Sequence, residues 1–272
     1  MKAVANRRVA RPWIAASLVG VGASILLLTL FPPAYVTSQN VLHAPGSEHL
    51  LGTNDIGQSV MAGLARAAPT TIALSLITGI GATFLALVAA VVVTLAGRVA
   101  GAAVLRVIDL LQVIPSILIL LLVASWYQPG FIGLVIVLVL TTWHDDVRVL
   151  RALVERESTR DSTRLARQMG AGPFWCLRHH VLPGLRSALA ALYAQNCLQA
   201  GMRAAGLGFL GLTDPRLLTW GTLMNDGLEY LHSPAAIWLL LPPLIALTGF
   251  FGVLIALSEI TSSEYRVRGN HD

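Results

Sequence analysis

The sequence predicts an all-α polytopic membrane protein with six transmembrane helices. Three observations carry that prediction. The 272 residues are 55% hydrophobic and only 12% charged, with a mean hydropathy of +0.70, whereas a soluble domain carries about 25% charged residues. The apolar residues gather into six runs, and a helix needs about 20 such residues to cross a bilayer core. The basic residues are distributed unevenly between the segments that join those runs.

Taken in order, residues 1–12 carry Lys2, Arg7, Arg8 and Arg11 and form a basic N-terminal segment. The run Trp13 to Phe31 follows and stops at Pro32-Pro33. It is longer than a usual signal-peptide apolar region, so it reads as an uncleaved first span over 13–31. Residues 32–68 are polar and rich in turn formers, an extracytoplasmic segment with a short amphipathic helix expected over Ile56–Ala67. A transmembrane core of five helices is expected over 69–258. Its spans are Thr70–Leu95, Ala102–Ala124, Phe131–Trp143, Ala188–Ala204 and Ala235–Leu257, the third of these continuing helically through Arg151. A cytoplasmic loop is expected over 152–186, an extracytoplasmic loop over 205–234, and a cytoplasmic tail over 259–272.

Orientation follows from the basic residues. With the N-terminus inside and the spans alternating, all of the 19 Lys and Arg except Arg66, Arg203 and Arg216 lie on the cytoplasmic side, as the positive-inside rule requires. Both termini are then cytoplasmic. The net charge of +5 belongs to membrane topology, and its placement argues against nucleic acid as a partner. Cys176 and Cys197 are isolated and match no metal, redox or disulfide spacing.

The longest polar stretch, Asp161 to Pro183, reads as helix, break, helix, stop. Asp161 or Ser162 can cap a first helix, and Leu165, Ala166 and Met169 form its apolar face. Gly170 ends it, because glycine accepts the left-handed conformation of a helix C-terminus. Gly172-Pro173 starts a second short helix, and Pro183-Gly184 closes it. Arg156, Arg160, Arg164 and Arg167 recur every three or four residues as a basic stripe opposite the apolar face. The stripe suits either anionic headgroups or docking to a cytoplasmic partner.

Candidate chemistry is sparse. Asp109 is the one carboxylate well inside a predicted span, and Arg106, three residues before it, is expected to pair with it near the cytoplasmic end. His144, Asp145 and Asp146 are adjacent, so their side chains diverge around a helix and cannot readily chelate one ion. His179-His180 reads the same way. His43, His49 and His232 lie in external segments and are the only, weak, candidates for meeting an incoming metal complex. No phosphate-binding loop, nucleophile elbow or zinc signature is present, so no cofactor is expected to bind this chain. Uphill transport would then draw on a partner or an ion gradient.

Several of these motifs resemble one family, the inner-membrane permease subunits of binding-protein-dependent ABC importers, in the dipeptide/oligopeptide/nickel branch. Leu51-Gly52-Thr53-Asn54-Asp55-Ile56-Gly57 is similar to that branch's LGTDxxG segment, with Gln58-Ser59 where Arg-Asp is usual. Gly170 and Leu182-Pro183 keep the spacing of the EAA loop, with Arg164-Leu165-Ala166 in place of EAA itself. Gly208-Phe209-Leu210-Gly211-Leu212 and Trp220-Gly221-Thr222-Leu223-Met224 resemble the branch's external loop in shortened form. Arg106-Val107-Ile108-Asp109 and Pro115-Ser116 resemble its third span. The resemblance covers roughly residues 48–258.

It implies the type I ABC importer permease fold in a bacterial inner membrane. It implies a heterodimer with a second homologous permease, two ATPase subunits holding ATP and Mg, and an extracytoplasmic solute-binding protein. It further implies that Arg164, Leu165, Ala166, Met169, Gly170, Ala171 and Pro183 belong to an ATPase-coupling helix and its boundary. Gly52, Thr53, Asp55, Gly57, Phe209, Leu210, Gly211, Trp220 and Gly221 would serve binding-protein or gate loops. Arg164 in place of the glutamate implies a more acidic groove on the ATPase. The cargo would be di- or oligopeptides or nickel and other metal chelates, moved by alternating access. The competing reading, an ion-coupled secondary transporter without an ATPase, would call for an inverted repeat and intramembrane ionisable residues.

Overall fold

The computed structural model describes residues 37–268, with side chains through residue 256 apart from Arg98. The predicted first span, 13–31, and the basic segment before it lie outside the described residues. Those described are helical almost throughout, with isolated β-bridges at Thr37–Gln58 and Thr53–Ser59 and no longer strand among them.

Helix α1 spans Val60–Leu95, 36 residues. The separate amphipathic helix expected over Ile56–Ala67 is therefore the first part of the same rod. Pro69 lies inside it and removes a single ladder bond, which so long a helix absorbs. Its start is set by Gly57 at φ 75°.

The span expected over Ala102–Ala124 is not one rod. It divides into α2 (Gly97–Val113) and α3 (Ser116–Tyr127), bent by 65°. Pro115 causes the break: it lacks an amide and holds Ile114 in an extended conformation, φ −88° and ψ 121°. The next run is also interrupted. Helix α4 (Phe131–Thr142) gives way to a 3₁₀ turn, Trp143–Asp145, before α5 (Val147–Ser158).

The polar stretch then forms α6 (Asp161–Gln168) and α7 (Pro173–Cys176). A π-helical turn, Leu177–Val181, leads without a stop into α8 (Leu182–Phe209). Pro183-Gly184 thus does not close a helix, contrary to the sequence expectation. A regular helix would drive the Pro183 ring into the carbonyl of His179. The wider turn, in which the Leu182 amide donates to the Leu177 carbonyl, takes up that conflict. Helix α9 (Trp220–Leu228) and α10 (Ala235–Arg268) complete the chain, and α10 runs well beyond the expected end of its span at Leu257.

Two described helices, Val60–Leu95 and Ala235–Ala256, are long and apolar enough to cross a membrane, and the α2–α3 pair makes a third if the bend belongs to one span. Helix α8 has 28 residues, but Arg186, Gln195, Asn196, Gln199 and Arg203 dilute its hydropathy. Four apolar clusters follow one another down the bundle. Leu64, Trp220, Leu239 and Phe250 lie at the α9 end, followed by Leu74, Leu120, Leu134 and Leu207. Ala86, Ile108, Val147 and Leu150 come next, and Val154, Val181 and Leu185 mark the α6 end. Ile77, Ile80, Phe84, Val88, Val92 and Leu95 form an exposed stripe along α1. A stripe of that length suits lipid or another membrane subunit, not water.

Candidate functional site

The α5–α8 loop is built as a bracket with one face fastened and one free. The Thr163 hydroxyl donates to the Glu157 carbonyl at 2.9 Å, and both Thr163 and Ala166 are buried against the body. Arg160 Nη1 lies 3.1 Å from Oε2 of Glu157, whose side chain is buried. Gly184 makes room for that carboxylate, since a Cβ there would press on its Oε2 at 2.5 Å.

Helix α6 ends in a Schellman arrangement. The Gly170 amide donates to Arg167 and the Ala171 amide to Ala166, both at 3.0 Å, with Gly170 at φ 91°. Leu165 and Met169, 57% and 82% exposed, project from the opposite face. The expected apolar face of Leu165, Ala166 and Met169 is therefore split: Ala166 points inward while Leu165 and Met169, one turn apart, point out. The basic stripe is split too. Arg156 belongs to α5, Arg160 to the turn, and Arg164 and Arg167 to α6, because the helix breaks at Thr159. A cleft of about 310 Å³ separates the loop from the end of α1, between Thr94, Leu95, Val154, Arg167 and Pro173.

At the other end, the residues of the two motifs expected on the extracytoplasmic side mostly hold the fold together. Thr53 is fully buried: its hydroxyl donates to the Asn40 carbonyl at 2.6 Å and accepts from the His43 amide at 2.8 Å. The Trp238 indole donates to the Thr53 carbonyl at 3.3 Å. Gly52 is packed against that indole, and Gly57 against the Ser38 backbone, so neither has room for a side chain. Trp220, 1% exposed, donates from its indole to the Leu64 carbonyl and from its amide to the Thr71 hydroxyl, each at 3.0 Å. Gly221 abuts the Ala205 backbone, and the Phe209 carbonyl accepts from Asn225 at 2.8 Å. Gly211 takes φ 69° at the end of α8. Asp55, Ile56, Leu210 and Gly211 are the exposed members. His43, His49 and His232 are not brought together: among the described residues no three His, Cys, Asp or Glu side chains group as metal ligands.

The expected Arg106–Asp109 pair does not form. Asp109 pairs with Arg148 at the start of α5, because the 3₁₀ turn before α5 rests on α2, where Gln112 donates to the His144 carbonyl at 3.0 Å, while Arg106 is exposed.

Sequence reasoning missed a polar cluster inside the bundle. Asp146, placed by the sequence at a helix end, is buried, and it accepts from Asn196 Nδ2 at 2.6 Å. Asn196 also donates to the Thr83 hydroxyl at 3.0 Å. Asn196 lies about 20 Å along α8 from Phe209 at 1.5 Å per residue, near the middle of that helix. Arg203, expected outside, reaches back toward the helix N-terminus as helical side chains do. Its Nη1 donates to the Thr142 hydroxyl at 2.8 Å and the Thr141 carbonyl at 3.2 Å, and its Nη2 to Gln199 at 3.2 Å. Asp109 is thus not the only interior carboxylate. The signal was present: Asn196, Gln199 and Arg203 are spaced three and four apart, one face of a helix in an otherwise apolar run.

Comparison with known proteins fits this architecture. A solved chain of the inward-facing MetNI methionine ABC transporter shares the fold with a TM-score of 0.59 at 17% identity, over 73% of this chain and 94% of that one. The di/tripeptide transport system permease protein DppC of Pseudomonas aeruginosa is 29% identical over 226 residues, 81% of this chain and 71% of that protein. The oligopeptide permease protein OppC of Bacillus subtilis is 26% identical over 76% of this chain and 70% of its own length. A putative peptide permease of Brucella suis is 29% identical over 67% of this chain, which spans only 61% of that relative. Residues 79–262, from the middle of α1 through α10, match the model of the binding-protein-dependent transport system inner membrane component, and the chain belongs to that family.

Proposed function

We propose that this inner membrane component is one permease subunit of an ATP-driven importer for di- or oligopeptides. A solute-binding protein delivers the cargo, a second homologous permease completes the path, and two ATPase subunits hold the ATP and Mg, one of them docked on the α5–α8 loop. Both termini are cytoplasmic. Closure of the ATPase dimer moves the loop, the loop moves α5 and α8, and the bundle alternates between outward and inward access.

The observation that carries this reading is the two-faced build of α6. Thr163 and Ala166 are fastened to the body, so a push on the helix is transmitted, and Leu165 and Met169 stand free to enter a groove. Arg164 and Arg167 beside them suit a groove with an acidic rim. The peptide permeases among the relatives support peptides over metal chelates as cargo.

Native purification in mild detergent tests the assembly. Wild type is expected to bring down ATPase subunits and a second permease. Leu165→Asp with Met169→Asp is expected to lose at least about 90% of the ATPase, since each buried apolar side chain contributes about 1.5–3 kcal/mol. A chain that purifies alone, and whose uptake follows a sodium gradient, would overturn the proposal in favour of ion-coupled transport.

A further inference from the structure

The 3₁₀ turn between α4 and α5 brings the Asp145 carboxylate to the Arg203 guanidinium of α8, at the edge of the polar cluster inside the bundle. Broken helices inside a membrane persist only where protein covers them or water reaches them, and such breaks are where transporters commonly place polar contacts. The Asp145 side chain remains 40% exposed and that of Arg203 19% exposed. Hydrocarbon does not solvate an exposed carboxylate, so within the bilayer this face lies against a wet path or another subunit.

Neither group is saturated. Asp145 Oδ2 lies 3.9 Å from Arg203 Nη2, a loose ion pair. Asp145 Oδ1 is 3.1 Å from His144 Nδ1. Arg203 commits Nη1 to Thr141 and Thr142 and holds Nη2 only to Gln199. About two helical turns along α8 from Arg203, Asn196, 1% exposed, has a buried Oδ1 with no hydrogen-bond partner among the described residues. Buried polar atoms are nearly always paired, so the cluster holds unspent acceptor capacity beside a loose ion pair.

We infer that Asp145 and Arg203 form a transient contact site in the translocation path for charged peptide side chains, Asp145 receiving a cationic side chain and Arg203 an anionic one. The inference rests on the peptide-permease reading. The looseness of the pair suits passage, because a path must bind weakly enough to release.

The test uses the complete complex in proteoliposomes and two dipeptides of opposite charge, alanyl-lysine and alanyl-glutamate. Asp145→Asn is expected to lower lysyl uptake relative to glutamyl uptake by about tenfold, the size of one charge-assisted hydrogen bond. Arg203→Gln is expected to shift the ratio the other way. Equal losses for both peptides would make the pair a structural brace and overturn the assignment while leaving the importer intact. Wild type taking up neither peptide would overturn the cargo reading itself. Asp145→Cys supplies a second measurement: a water-borne cationic thiol reagent is expected to label it, and saturating peptide to slow the labelling. A thiol at this position that stays unlabelled overturns the site independently of cargo.

Discussion

Asp226, near the end of α9, carries a carboxyl that its surroundings raise above the ordinary carboxylate range. Partial desolvation is the main cause, and the negative charges of Asp55 and Glu229 add to it. In the unfolded chain the group returns to its ordinary value, so the folded state holds the proton more tightly. Stability therefore falls as pH rises from the ordinary value through the raised one, and is level above it. Asp226→Asn is expected to flatten that fall, measured as thermal unfolding in detergent between about pH 4 and 7. The side chain is exposed, so the effect is small. A wild-type slope of opposite sign would mean that a cation balances the group. Asp55 was legible as part of the Leu51–Gly57 motif. Its partnership with Asp226 was not, because the two come from segments that meet only when α9 folds over the start of α1. Trp220 teaches the same lesson: its motif was readable, but the carbonyl of Leu64 and the hydroxyl of Thr71 that hold it were not.

Among the elements, α6 depends on its stop. Gly170 has no atom within 4 Å of a built Cβ, yet lies at φ 91°, so substitution there is opposed by backbone conformation alone. A left-handed residue costs an L side chain about 1–2 kcal/mol, and Asn tolerates it better than most. Gly170→Asn is expected to keep most ATPase co-purification and transport, and Gly170→Val to lose both in parallel. Equal behaviour of the two would mean that the cap does not set the position of Leu165 and Met169. The stops at Gly170 and Gly172-Pro173 were legible because Gly and Pro act locally. The π turn before Pro183 was not, because a proline in an apolar stretch reads as an end unless the preceding turn is known to widen. The split of Ala166 from Leu165 and Met169 also escaped the sequence. Helical spacing groups all three, and only the body of α5 behind Thr163 decides which residue faces it.

For the molecule as a whole, α1 and α8 form a spine joined through small residues. Membrane helices lack a strong hydrophobic drive toward one another and associate by close packing. The Ser75 hydroxyl donates to the Cys197 carbonyl at 2.5 Å, and Gly201 faces Phe251 and Ser75 with no room for a Cβ. Gly201→Leu is expected to force the spine apart, at about 1–3 kcal/mol or more. It should lower the Tm of the detergent-purified chain by several degrees. Gly206→Ala, on the same helix with open space around it, is expected to leave the Tm unchanged or raise it. A matching drop in both would place the sensitivity in the helix itself and not in its packing. The helical class and the order of the apolar runs were plain from composition. The bends at Pro115 and at Trp143–Asp145 were hidden, because a hydropathy window averages across a break that costs it no apolar residues.

The π turn at Leu177–Val181 has one more consequence. It holds one residue more than the helical path needs, and that residue acts as an angular spacer between α6–α7 and α8. Deleting a residue there would leave the spine in register while turning the α6–α7 bracket by about 100° around the helix axis. Leu165 and Met169 would then present at a different azimuth. A chain of this design can re-aim its docking surface by changing its length by one, without altering a side chain in either part.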